Sequence, residues 1–284
     1  MKKLYLCIIL LLIASSAAFA QKKIYEVSNT KEFLDAIGPD RTIEVNSGTY
    51  DLSDYSGHFG KYYYYQKTFE GSELLITDVN NLRIIGTGFL TPEIITQPVD
   101  GNVLCFSYCN NIIIENIEAG HGAQKGECSG GVLKFNDCSN IRISDCILYG
   151  SGTEGITCNG VSGLVFENSV IKRCTYGIMT LENSSSLLFD KCEFFNNVEF
   201  DMINLIRCKD IKFNKCGIKS NKSEFMDYSD FCLFKLDEST GIIVKDCDIK
   251  NNITDYLTND KAELKFMNTD ITVNKFLKGT YMQR

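Results

Sequence analysis

Apolar and polar residues alternate in a short segment that recurs through the middle of the chain. The clearest copies are residues 140–148, 163–171, 186–194 and 210–218. In each copy an apolar, a variable and a second apolar residue are followed by a polar pair, a small residue and a further aliphatic or aromatic residue. Alternation with a period of two is typical of strands that bury one face. The pattern therefore predicts a half-buried strand in every copy.

The spacing of the copies predicts how these strands are arranged. Their first apolar residues are separated by 23, 23 and 24 residues, at Ile141, Leu164, Leu187 and Ile211. At a rise of ~3.3 Å per residue, such a unit accommodates about three short strands joined by corners. One unit cannot bury its own apolar side, whereas stacked units form a continuous core. The sequence therefore predicts an all-β, parallel β-solenoid.

These segments resemble the repeats of right-handed parallel β-helix proteins, the pectin-lyase-like superfamily. The resemblance extends to Leu82, Ile112, Ile242 and Leu264, which occupy the first apolar position of further copies. It implies a right-handed parallel β-helix over nearly the whole chain after residue 20. For function the resemblance implies a protein that binds or processes carbohydrate, and this implication rests on the fold alone.

The residues before the first coil predict a short α-helical cap. Asn29 to Glu32 form a capping-box-like helix start, and Phe33, Leu34, Ala36 and Ile37 follow at helical spacing. A strand is expected at residues 42–45. We expect the cap to occupy about residues 23–54 and the coils about 55–275, within a single domain of residues 21–284.

The first 20 residues have the features of a secretory signal peptide. Lys2 and Lys3 precede an apolar stretch, and Ala18-Phe19-Ala20 forms a small-x-small cleavage site. The expected product is secreted or periplasmic. The formal net charge is −7, and removal of the leader makes it −9. An acidic chain is repelled by the phosphates of nucleic acid, so we expect no nucleic-acid partner. The sequence after the leader contains no apolar run long enough for a membrane helix, and we therefore expect no membrane insertion. We also expect a monomer.

Most of the 13 cysteines follow the repeat. Cys146, Cys192, Cys216 and Cys247 share one position, and Cys109, Cys138 and Cys208 share another. Serine, threonine or valine fills the same positions in other copies, which indicates buried, unpaired thiols that pack as small hydrophobic groups. Pairs at 196–197, 220–221 and 251–252 each end in asparagine and indicate a stacked asparagine turn.

Three coils are longer than the others, and their extra residues predict a cleft. We place them at one corner, after Phe89, after Ala119 and after Ile218. Short corners at residues 149–155, 172–177 and 195–202 lie between the second and third long loops. Loops on either side of a lower floor would form a cleft ~15–20 Å wide, which is wide enough for a few sugar units.

Eight polar or aromatic residues are the candidates for this cleft. As catalytic residues we expect His121, Arg173 and Glu154, because proton abstraction beside a carboxylate needs a base and a cation. The candidate binding residues are Lys125 and Glu127 from the wall and Tyr176, Glu199 and Asp201 from the floor. Glu154, Glu199 and Asp201 offer oxygen ligands for calcium. A zinc site would instead combine His121 with Cys128 and with Cys158 or Cys174.

The enzyme motifs of this superfamily are only partly present. Gly120-His121-Gly122 resembles the GHG motif of polygalacturonases, but the chain contains no Asp-Asp pair, and Asn268-Thr269-Asp270 follows the histidine instead of preceding it. Arg207-Cys208-Lys209 has the Arg-x-Lys spacing but lies four coils further on. Pectate-lyase signatures need tryptophan, and the chain has none. The alternative interpretation of His121 is a structural histidine between two turn glycines.

Two classes of function therefore follow from the sequence. The first is an exported β-helix that binds or processes carbohydrate, with lyase-like or glycosidase-like chemistry in the cleft. The second is a non-catalytic solenoid scaffold that binds a protein or cell-envelope partner.

Overall fold

A computed structural model describes residues 23–55, 57–69, 71–122, 129–150, 152–223 and 230–282. The signal-peptide expectation for residues 1–20 lies outside the described residues. Within them the chain winds through three sheets, named here sheet I, sheet II and sheet III in the order in which each coil visits them. The all-β fold expected from the repeat is confirmed.

Sheet I contains the long strands of the repeat. Its ten strands, in spatial order, are Lys23–Val27, Arg41–Val45, Asn80–Gly86, Asn110–Glu115, Ser139–Ser144, Ser162–Glu167, Ser185–Asp190, Lys209–Asn214, Ile242–Lys245 and Leu264–Met267. Every neighbouring pair described in this sheet is parallel.

Sheets II and III complete each coil. The eight strands of sheet II are Thr49–Asp51, Glu93–Thr96, Glu118–His121, Ile147–Tyr149, Val170–Lys172, Glu193–Phe195, Gly217–Lys219 and Asp248–Lys250. The ten strands of sheet III are Tyr63–Thr68, Gly71–Thr77, Leu104–Ser107, Leu133–Asn136, Ile156–Asn159, Met179–Glu182, Ile203–Ile206, Cys232–Asp237, Ile253–Thr258 and Lys275–Tyr281. The first two strands of sheet III form an antiparallel hairpin, and the other described pairs are parallel.

The register of sheet I confirms the repeat read from the sequence. Ile141 lies beside Leu164, Leu164 beside Leu187, and Leu187 beside Ile211. All four are buried, and phenylalanine rings stack beside them in successive coils, as Phe189 and Phe213 do at 4.8 Å between centroids. Identical positions in adjacent coils therefore build one continuous core.

The amino-terminal helix forms as its capping pattern predicts. Helix α1 is Thr30–Asp35, and Asn29 Oδ1 accepts a hydrogen bond from the Glu32 backbone N–H at 3.0 Å. Glu32 in turn accepts one from the Ser28 N–H at 2.8 Å, so the returning bond of the capping box comes from the residue before the N-cap and not from Asn29 itself. Phe33 and Leu34 point into the core, so the helix covers the first coil. A 3₁₀-helix, Ser53–Tyr55, follows the first strand of sheet II.

The repeated cysteines lie at two turns and are buried. None of the eleven cysteines of the described residues forms a disulfide with another of them, as expected. Their role differs from simple apolar packing, however. The Cys146 backbone N–H donates to Ser169 Oγ at 3.0 Å in the next coil, and the Cys216 N–H donates to Cys247 Sγ at 3.3 Å. Cysteine and serine interchange at these turns because the cysteine Sγ and the serine Oγ can each accept this backbone hydrogen bond. Each can also donate to a nearby carbonyl, as Cys146 does to Ser144 and Ser169 does to Glu167.

The stacked asparagine turn is also present, at the corner between sheets II and III. Asn197, Asn221 and Asn252 are fully buried, and Asn274 continues the column. In each step an Oδ1 atom accepts from both the backbone N–H and the side-chain amide of the preceding asparagine at 2.9–3.0 Å. We call this column the asparagine ladder.

The placement of the first long loop needs a correction. Phe89, assigned to the last apolar position of its coil, is fully exposed, and Ile94 occupies that position instead. Most extra residues of this coil therefore precede the strand Glu93–Thr96, at the turn between sheets I and II. The other two insertions do lie at the corner between sheets II and III, because Ala119 and Ile218 are in sheet II.

Candidate functional site

A surface groove of about 400 Å³ lies at the corner between sheets II and III. It occupies the short corners expected to form the cleft floor. The residues that line it, hereafter the groove residues, combine hydroxyl, amide, carboxylate and aromatic groups: Ser129, Thr153, Glu154, Tyr176, Thr180, Phe200, Asp201 and Asn204.

Backbone hydrogen bonds between coils fix the corners that carry these side chains. The Thr153 N–H donates to the Gly130 carbonyl at 2.8 Å, and the Tyr176 N–H donates to the Thr153 carbonyl at 2.9 Å. Thr180 and Asn204 are register partners in sheet III. The groove residues are therefore held at the coil spacing of about 4.8 Å by the same ladder that builds the solenoid.

Two carboxylates, Glu154 and Asp201, lie in the groove two coils apart. Glu154 Oε1 accepts a hydrogen bond from the Thr180 hydroxyl at 2.8 Å, and Asp201 Oδ1 accepts one from the Cys232 N–H at 2.6 Å. Burial raises the pKa of both groups. Hydrogen bonds from Thr153 and Thr180, and then the charge of Lys134, offset part of this rise for Glu154. The Cys232 N–H, and then the charge of Lys235, do so for Asp201. A carboxyl group with a raised pKa is suited to proton transfer as well as to hydrogen bonding.

An aromatic row borders the carboxylates. The ring of Tyr176 meets that of Phe200 edge to face at 4.9 Å, and Phe200 meets Phe231 in the same way at 5.5 Å. All three residues are partly exposed. Rings beside carboxylates and hydroxyls give the groove both apolar contact area and hydrogen-bonding groups.

The structure places His121 beneath the surface, outside the groove residues. It ends a sheet II strand with 5 % exposure, and its Nε2 contacts the Gly101 carbonyl at 2.8 Å. A Cβ at Gly152 would lie 2.8 Å from the ring, so the next corner packs directly over the imidazole. Burial lowers the pKa of His121, which favours the neutral form. The burial of His121 is compatible with the alternative interpretation, a structural histidine between turn glycines.

The remaining candidates are divided between the groove and its surroundings. Arg173 and Glu199 adopt left-handed backbone conformations, with φ of 61° and 84°, and neither belongs to the groove residues. Arg173 is exposed at the sheet II end of its corner. Lys125 and Glu127 lie outside the described residues. Of the eight candidates, Glu154, Tyr176 and Asp201 are therefore brought together.

Neither metal expectation gains support from the described part of the chain. It contains no group of three or more His, Cys, Asp or Glu side chains able to hold a metal ion. Cys158 and Cys174, considered as zinc ligands, are fully buried in the core, and Cys128 lies outside the described residues.

A larger surface cavity of about 570 Å³ lies at the carboxyl-terminal end of the solenoid. It is lined by Tyr256 and by residues 278–282. Among the described residues that line it, Lys278 is the charged one, and it is paired with Asp230 at 2.7 Å and Asp255 at 3.4 Å. The smaller groove has the greater variety of ligand-binding groups, and so it is the better candidate site.

Five groove residues were missed by the sequence analysis: Ser129, Thr153, Thr180, Phe200 and Asn204. Thr180 and Asn204 had a signal, because they are the outward residue between two buried ones in equivalent strands. Phe200 had none, since an aromatic residue in a corner is compatible with either a core or a surface position.

Comparisons with known proteins agree with this architecture. The family described as right handed beta helix region matches residues 110–271. No curated protein sequence is significantly similar to the chain. No helix among the described residues has the length and apolarity needed to cross a membrane.

Two solved structures illustrate the similarity in fold. A rhamnogalacturonan lyase aligns with a TM-score of 0.56 and 11% identity, over 88% of this chain and 74% of its own. A pectate lyase from a Bacillus species, in complex with trigalacturonate, aligns with a TM-score of 0.54 and 10% identity, over 90% of this chain and 83% of its own. The chain thus has the pectin-lyase-like fold, and with the family match covering more than half of its length it belongs to the right-handed β-helix family.

Proposed function

We propose that the chain is an exported protein whose groove binds a short segment of carbohydrate. The observation that carries this proposal is the combination of an aromatic row, two carboxylates and several hydroxyl or amide groups in one surface groove. Sugars present apolar ring faces edged by hydroxyl groups, so a binding site needs both kinds of contact. The similarity in fold to two polysaccharide lyases is in keeping with such a ligand.

The dimensions of the groove favour an oligosaccharide segment over a single sugar. Its residues come from four successive coils, from Ser129 to Asn204. Three coil steps of ~4.8 Å span ~15 Å. This length accommodates a few sugar units laid along the solenoid axis, with Tyr176 and Phe200 against their faces.

The test begins with purified residues 21–284 on an array of neutral, amino and uronic oligosaccharides. We then expect Tyr176→Ala to weaken the affinity for the best ligand at least about tenfold, or about 1.4 kcal/mol, measured by titration calorimetry. Tyr108→Ala is the matched control, because Tyr108 is an exposed tyrosine at the turn between sheets III and I, outside the groove. Absence of any bound glycan, or equal affinities for the two variants, would refute the proposal.

Turnover is measured on the same ligands. Release of reducing ends reports hydrolysis, and ultraviolet absorbance of unsaturated products reports β-elimination. Glu154 is the groove residue that we propose for proton transfer, because burial raises its pKa. Glu154→Gln should therefore abolish any turnover of the parent protein while it retains binding of the glycan.

A further inference from the structure

The two charged groups that the groove offers its ligand, Glu154 and Asp201, are both carboxylates. An ionised carboxylate only accepts hydrogen bonds. Glu154 accepts them from the side chains of Thr180 and Thr153, and Asp201 accepts one from the Cys232 N–H. The groove residues include two acidic side chains and no lysine, arginine or histidine. Such a surface suits ligand groups that donate hydrogen bonds, which sugar hydroxyl and ammonium groups do.

Two lysines, Lys134 and Lys235, lie at the two ends of the groove, outside its lining. Lys134, Thr157, Thr180, Asn204 and Lys235 form one outward-facing column of sheet III. The lysines are therefore separated by four coil steps, ~19 Å. Each acts on the nearer carboxylate, Lys134 on Glu154 and Lys235 on Asp201. A sugar held between them contacts the carboxylates directly and the lysines only at the ends of the column.

We infer that Glu154 and Asp201 determine specificity by excluding uronic acids, so that the sugar units in the groove carry no carboxylate. The inference rests on the proposed glycan-binding function. A uronate placed against these residues in their ionised form would bring like charges together in a partly desolvated site, and its carboxylate would supply no hydrogen-bond donor to them. The polyuronate in the structurally similar pectate lyase complex is thus the class of ligand that this groove disfavours.

The experiment compares chemically matched ligands. The best neutral ligand from the array is oxidised at its primary hydroxyls to the corresponding uronide, and both forms are titrated against the protein at neutral pH and low salt. We expect the uronide to bind at least about tenfold more weakly, since like-charge contacts penalise the wrong partner. The amides of Glu154→Gln and Asp201→Asn keep the shape of the carboxylates and can donate hydrogen bonds. In each variant the difference in affinity between the neutral ligand and the uronide should shrink to less than about threefold.

Asp237→Asn is the control, because Asp237 is an exposed carboxylate at the end of a sheet III strand, outside the groove. It should leave the preference of the parent protein unchanged. Array ligands that are mostly uronides, unsaturated products of β-elimination, which only a uronide yields, or a preference unaffected by both amide variants would each overturn the inference and leave glycan binding standing. An array without any bound glycan would overturn both proposals.

Discussion

The asparagine ladder allows a quantitative test of what holds the corner beneath the groove. Asn221 is fully buried, and its side chain makes four hydrogen bonds. Oδ1 accepts from the backbone N–H and the side-chain amide of Asn197, at 3.0 and 2.9 Å. Nδ2 donates to the carbonyl of Phe194 and to Asn252 Oδ1, at 3.0 and 2.9 Å. Asn221→Ala removes all four.

The expected loss of stability follows from these bonds. A net contribution of about 1 kcal/mol per hydrogen bond gives about 4 kcal/mol for the four. The buried Asn197 N–H and Phe194 carbonyl lose a partner in a place that water does not reach, which adds to this value. At about 2–4 °C per kcal/mol for a chain of this size, the melting temperature should fall by about 8–16 °C.

The assay is thermal and urea-induced unfolding followed by far-ultraviolet circular dichroism. Asn159→Ala is the matched control, because Asn159 is exposed and makes one described side-chain hydrogen bond, from Asn183 at 3.0 Å. It should cost less than about 1 kcal/mol. A loss for Asn221→Ala no greater than that of the control would refute the view that the ladder holds the corner.

Three further predictions concern the thiols, the buried histidine and the helix cap. Burial raises the pKa of Cys146 to about 12, so this thiol should resist alkylation in the native protein and react after denaturation without reductant; a need for reductant would reveal a disulfide. Burial lowers the pKa of His121 in the folded protein, so as the pH falls below about 6.5 the imidazole takes up a proton in the unfolded chain first. The stability of the parent protein should therefore decline there more steeply than that of His121→Gln. Identical pH profiles of the melting temperature would contradict this. Asn29→Ala should cost about 1 kcal/mol through loss of the helix cap, and an unchanged urea midpoint would count against that role.

The sequence by itself determined the solenoid and its interior. A two-residue alternation repeated at nearly constant intervals leaves one economical way to bury every apolar face, which is to stack the units. Ile141, Leu164 and Leu187 are accordingly buried in register. Cys192 and Asn197 were located for the same reason, since a position that recurs in each coil keeps the same surroundings.

Only the tertiary structure decided which side chains meet in the groove. The corners have no two-residue alternation, and single left-handed residues such as Arg173 and Glu199 redirect the chain there. The expectation that His121 faces the cleft assumed that this residue lies in a loop. In the structure His121 is the last residue of the strand Glu118–His121, and its side chain is buried. Phe200 reaches Tyr176 because coils stack at ~4.8 Å, a distance that brings residues far apart in sequence into contact. The repeat fixes the strands by local periodicity, but the conformation of a corner depends on contacts with the coils above and below it.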